Sequence, residues 1–213
     1  MNPPPEAPPP DPSVLYQKLV ATYADMHVNG DSGNHIPAEK VFDGRGLALH
    51  LEVIRQLCRK FRATSLIDYG CGKAKAYKGT RAQHPDGREE QGLQSLWGLQ
   101  TLALYDPAVR DYAELPDRRF DAAVSTHVLE FTPEEDVDWV LAELFGYASR
   151  FVFLAIACHP SPWELPGGGN YHVTQRSPGW WTDRLWAARA WTPETRCFAL
   201  LHPSERTRIL VEI

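Results

Sequence analysis

Asp68-Tyr69-Gly70-Cys71-Gly72-Lys73-Ala74 closes a short apolar run and opens a stretch with helical character. Such a turn presents free backbone N–H groups to polar or negative ligand atoms. Glycines at 70 and 72 remove the side chains that would keep a ribose or a carboxylate from approaching the backbone. A Gly-x-Gly turn alone would serve equally well as an ordinary strand-to-helix connection. Two further features narrow the choice. Asp106, followed by Pro107, stands at the tip of the next apolar run, where a carboxylate can accept both hydroxyls of a ribose. The run Phe-Asp-Ala-Ala-Val-Ser-Thr, 120–126, ends beside the same crevice. In this order the three point to a nucleoside-bearing cofactor.

Two histidines follow apolar runs and so fall where α/β sites form: His127 after the third strand and His172 in the Gly-Gly-Gly-Asn-Tyr-His-Val-Thr loop. Either could remove a proton from an acidic acceptor, with His172 preferred; His127 could equally be a buried, hydrogen-bonded residue. Glu130 could contact a ligand, or simply sit favourably in the first turn of a helix. Trp180 and Trp181 could wall a substrate pocket or anchor a helix to the core. Gly167, Gly168 and Gly169 lack the Lys-Ser or Lys-Thr of a phosphate-cradling loop and read as a hinge. The eight histidines include no HxxxH or HExxH, and the cysteines form no CxxC pair, so no metal site is expected.

The elements that must position these residues follow from periodicity. Ser13 is a good N-cap for a helix carrying Val14, Leu15, Leu19, Val20 and Tyr23, and a second helix runs through Leu47 to Phe61, so residues 13–62 form an N-terminal helical region. Strands are expected at Ser65 to Asp68, Thr101 to Tyr105, Phe120 to Ser125 and Phe151 to Cys158, with a helix over Asp136 to Tyr147. About a dozen residues between Asp106 and the third strand leave too little chain for a full helix, so one βα unit is abbreviated. A helix around Gly179 to Ala190 precedes two terminal strands, Cys197 to Leu201 and Thr207 to Ile213. Residues 78–98 read as an insertion whose end, Leu96 and Trp97, packs back. The expected fold is α/β: a Rossmann-like, doubly wound, mostly parallel sheet with a C-terminal antiparallel hairpin, one domain over 13–213 behind a disordered Pro-rich tail, 1–12.

Composition excludes several classes. A net charge of −5 with scattered Lys and Arg argues against duplex nucleic acid, and no apolar run is long enough for a membrane span. The start has neither a basic region nor an apolar one, and Cys58, Cys71, Cys158 and Cys197 read as reduced thiols, so a cytoplasmic monomer or homodimer acting on a small molecule is expected.

Asp-Tyr-Gly-Cys-Gly-Lys-Ala, Leu-Tyr-Asp-Pro-Ala-Val and Phe-Asp-Ala-Ala-Val-Ser-Thr-His-Val-Leu-Glu-Phe, in that order, resemble the class I S-adenosylmethionine (SAM)-dependent methyltransferases over roughly Ser65 to Cys158. Together with the NYHVT and WW segments, the chain is similar to a small bacterial subfamily of that group. The resemblance implies SAM as cofactor, with Asp68, Gly70, Cys71 and Gly72 along its methionine and ribose side. Asp106 and Pro107 would lie at the ribose hydroxyls, Ser125, Thr126 and His127 at the cofactor's edge, and Tyr171, Trp180 and Trp181 at the acceptor. The implied reaction is methyl transfer to an oxygen or nitrogen of a small-molecule or glycan-like acceptor. The alternatives are a SAM-binding scaffold without catalysis and an NAD(P)-dependent oxidoreductase, which the incomplete GxGxxG pattern disfavours. Three positions depart from the family pattern: Ala74 replaces a third glycine, His127 an aspartate and Phe131 a histidine.

Overall fold

The computed structural model describes residues 11–79, 81–83 and 89–213; most of the expected 1–12 tail and the middle of the 78–98 insertion lie outside them. Helix α1, Val14–Asn29, starts at Ser13, whose hydroxyl accepts the Tyr16 N–H at 3.0 Å. The same residue donates from its backbone N and its Oγ to the two oxygens of buried Asp136, each at 2.7 Å, which fastens α1 to the body. The helical stretch read from Leu47 to Phe61 divides: a 3₁₀ segment, Arg45–His50, precedes α2, Leu51–Phe61.

Strands β1 (Ser65–Tyr69), β4 (Thr101–Tyr105), β5 (Phe120–Thr126), β6 (Ala148–Ala157), β7 (Arg196–Ser204) and β8 (Thr207–Glu212) form one sheet in the order β4-β1-β5-β6-β7-β8. Every pairing is parallel except β7 with β8. Between β1 and β4 lie α3 (Lys75–Gly79), a hairpin of β2 (Arg81–Gln83) and β3 (Glu89–Gln91), and α4 (Leu93–Leu96). The insertion's end does pack back: Trp97 is buried and its indole N–H donates to the Leu51 carbonyl at 3.1 Å. A 3₁₀ turn, Arg110–Tyr112, is all that connects β4 toward β5, so the expected abbreviation holds.

Helices cover both faces. Ile54, Leu57 and Phe151 belong to one buried cluster, under α2, and Val140, Leu144 and Trp181 to the other, under α5 (Val137–Tyr147) and α6 (Pro178–Ala190). Each such apolar side chain contributes roughly 1.5–3 kcal/mol by leaving water. Because the chain leaves β1 toward β4 and then crosses to β5 on the other side, the carboxyl ends of β1 and β5 flank the switch point where α/β sheets form clefts. No helix among the described residues is long and apolar enough to cross a membrane.

Candidate functional site

A cleft of about 280 Å³ opens at that switch point. Its floor is Asp68 at the end of β1 with Gly70, Cys71 and Gly72 after it, Asp106, Pro107 and Ala108 after β4, and Thr126 at the end of β5 with His127 and Val128 after it. Its roof is α1, through Tyr16, Leu19, Val20, Tyr23 and His27, with Phe42, Asp43 and Gly44 at one side. The volume is near the lower end for small-molecule sites.

The Gly-bearing loop is held by the neighbouring strand. Gly70 and Cys71 donate their N–H groups to the Tyr105 carbonyl at 2.7 and 3.0 Å. Asp106 accepts the Gly72 N–H on one oxygen at 2.8 Å and the Ala108 N–H on the other at 2.9 Å. Burial raises the Asp106 carboxyl above the usual carboxylate range, and these two bonds act against that rise. Both glycines have positive φ, +87° at Gly70 and +55° at Gly72. What a side chain would strike is protein: a Cβ at Gly70 would lie 2.2 Å from Val128 Cγ2, and one at Gly72 2.2 Å from the Phe42 carbonyl oxygen. The bare backbone expected to admit a ligand instead admits the chain after β5 and the Phe42 segment. Ala74, where the family pattern has glycine, adopts φ +53°, the left-handed region glycine favours.

Asp68 is buried under the cleft at 2% exposure. Its Oδ2 accepts from the Tyr77 hydroxyl at 2.8 Å, and its Oδ1 has no partner among the described residues. Burial pushes this carboxyl up to about 7 against the Tyr77 bond, and the charge of Asp106 adds to the rise. Lys73 fastens the loop to the roof: its Nζ lies 2.7 Å from His27 Nδ1 and donates to the carbonyls of His27 and Val41. Burial and the Lys73 charge lower His27 to about 4, so it is neutral at neutral pH.

At the far end stands His127, with φ +56° and its N–H on the Ala155 carbonyl at 2.8 Å. Its Nδ1 lies 3.1 Å from Glu130 Oε1, which also accepts the Ala157 N–H at 3.0 Å. Burial would lower the His127 pKa, but Glu130 outweighs it and the net direction is upward. Glu130 is fully buried in a 3₁₀ turn, so it is neither a ligand contact nor a solvated dipole partner; it positions His127. The rings of His50 and His202 stand 5.9 and 5.3 Å from that of His127. The expectation of no metal site rested on sequence spacing, and these three come from separate elements.

Several predicted residues fall elsewhere. Ser125 is buried on the other side of β5 from Thr126 and does not line the cleft. His172 stacks edge-on against Phe131, 5.4 Å between centroids, and its Nδ1 lies 2.6 Å from the His159 carbonyl; Phe131, not His172, faces the cleft. Tyr171 is buried and donates its hydroxyl to Asp31, a structural tie rather than a substrate contact. Burial would raise Asp31, but bonds from Tyr171 and Asn34 hold it below its usual value. Trp181 is fully enclosed in the core at the start of α6, with Trp180 edge-on against it, so both anchor the helix and neither walls the cleft. Conversely, Leu19, Val20 and Tyr23 are legible in the sequence only as part of a helix, and Tyr16 and His27, which line the cleft beside them, are not singled out by it at all. The helical spacing of Leu19, Val20 and Tyr23 is the available signal, and spacing does not say which surface a helix covers.

Comparison with family models, with curated proteins and with solved structures finds no match to the chain, so the resemblance rests on its residues.

Proposed function

We propose that this chain binds SAM in the cleft and is a methyltransferase acting on an oxygen or nitrogen of a small-molecule or glycan-like acceptor. One observation supports the reading: Gly70, Gly72, Asp106 and His127, singled out by type and order, and Asp68, implied by the resemblance, line a single cleft at the switch point of the sheet.

The residues present fit the cofactor. Asp68 Oδ1, buried and without a partner, would accept from the amino group, and each Asp106 oxygen, holding one N–H, keeps lone-pair capacity for a ribose hydroxyl. Tyr16, Leu19 and Val20 give the cleft an apolar roof for a purine. SAM supplies an electrophilic methyl on a sulfonium; the chain's task is to align an acceptor with it and exclude water. His127 replaces His172 as the group placed to hold or take a proton, because it lines the cleft and Glu130 orients it. The apolar Phe131 at the cleft, where the family pattern has a histidine, keeps a non-catalytic SAM-binding role as the second reading.

Calorimetric titration with SAM, S-adenosylhomocysteine and NAD tests this. We expect binding of the first two and none of the third. Asp106→Ala should weaken SAM roughly ten- to a hundredfold, about 1.5–3 kcal/mol, with the variant's fold checked by thermal melting. NAD binding in place of SAM, or unchanged SAM affinity in a folded variant, would sink the assignment. SAM binding with no S-adenosylhomocysteine formed across an acceptor screen would favour the second reading.

A further inference from the structure

His50 closes the 3₁₀ segment before α2, His127 follows β5 and His202 lies in β7, and one ring nitrogen of each falls within 4.8 Å of the other two. His50 and His202 are 2% and 6% exposed, and the Nε2 atoms of both are buried without a hydrogen-bond partner among the described residues. Buried polar atoms are nearly always satisfied, so two orphaned ring nitrogens in a histidine trio this close together point to a species that takes lone pairs.

We propose that His50, His127 and His202 bind one divalent transition-metal ion, zinc by the ligand set, with Glu130 orienting His127 and a fourth coordination position open toward the cleft. Three imidazoles with an open position are the donor set of catalytic rather than structural zinc. Magnesium and calcium are disfavoured because they select oxygen donors. Glu130 on His127 Nδ1 is the carboxylate–histidine arrangement that fixes a metal-bound ring and leaves its Nε2 for the ion. With Zn–N bonds of about 2.0–2.1 Å the ligand nitrogens must close to roughly 3.3 Å apart, a contraction of about 1.5 Å at most. The charges facing the trio divide: Arg208, exposed on β8, opposes a cation, whereas Glu130, fully buried, supports one. His127 is the member that lines the cleft, so water or an acceptor's oxygen or nitrogen would take the fourth position; with the ion bound His127 no longer takes the acceptor's proton, and the ion would lower the pKa of the bound group in its place. Ion binding does not depend on the SAM reading; the ion's place at the acceptor end does.

The test is titration of the metal-free full chain with Co²⁺, without SAM, following the visible absorption of low-coordinate cobalt and displacement by Zn²⁺. One equivalent should bind to the wild-type chain. Glu130→Gln should weaken it about ten- to a hundredfold, and His50→Gln or His202→Gln by more. Exposed His35→Asn should change nothing. Circular dichroism checks each fold; should the buried variants unfold, a Zn²⁺-dependent rise in the wild-type melting temperature, reversed by chelator and smaller in His127→Asn, carries the same decision. No cobalt spectrum in the wild-type chain, or equal binding in folded His50 and His202 variants, would overturn the proposal. SAM titration in chelator reports separately on the cofactor.

Discussion

Asp68 concentrates the tension of this site in one residue. A carboxyl with one oxygen on Tyr77 and the other unpartnered, beneath a second acidic residue, is held near 7 by burial, whereas in the unfolded chain it titrates near 3.8. Between those values the folded state binds the extra proton, so the contribution to stability is full below about pH 4 and is lost as pH rises through about 7. The gap corresponds to at most about 4 kcal/mol. Urea denaturation across this range should show wild-type stability falling relative to Asp68→Asn. Parallel pH profiles for the two proteins would mean that Asp68 is ionised in the fold. An ammonium group set against Oδ1 would favour the ionised form, so SAM affinity should rise with pH over the same interval in the wild type and stay flat in the variant. The motif containing Asp68 was legible because its residues are adjacent in the chain. The Asp31–Tyr171 tie was not, because nothing local to Tyr171 marks a partner so distant in sequence.

At the scale of elements, the main strands could be read from apolar runs and turn residues, because parallel strands buried on both faces advertise themselves. The role of α1 could not: its spacing gives a helix, and only the junction at Ser13 and Asp136 turns that helix into a roof. Ser13→Ala removes a cap worth about 1 kcal/mol and leaves a buried Asp136 oxygen without its hydroxyl donor, a further 1–2 kcal/mol or so. The melting temperature should fall by roughly 5–10 °C, and in a double-mutant cycle with Asp136→Asn the two losses should couple by more than about 0.5 kcal/mol. Strict additivity would show that the cap acts locally and does not tie α1 to the body.

Across the whole molecule, the cleft is a joint between two bodies of different character. The floor is a parallel sheet clad on both faces, with β6 buried along seven consecutive positions at its carboxyl end. The roof is a single helix held at Ser13, by the Tyr23 hydroxyl on the Phe131 carbonyl at 2.9 Å, by Lys73, and by Met26, which is fully buried with Val41, Leu165 and Tyr171. A helix at the edge of the fold held in this way opens locally at a cost below that of global unfolding. A ligand seated in the cleft against Tyr16, Leu19, Val20 and Tyr23 would restrain α1 once bound. Deuterium exchange with and without SAM should show slowed exchange over 14–29 and the neighbouring 40–47 segment, little change in β6 and β7, which are protected in either state, and an effect lost in Asp106→Ala. Protection confined to 68–72 and 106–108 would mean that the ligand lies on the floor alone, and the roof would then have no part in binding.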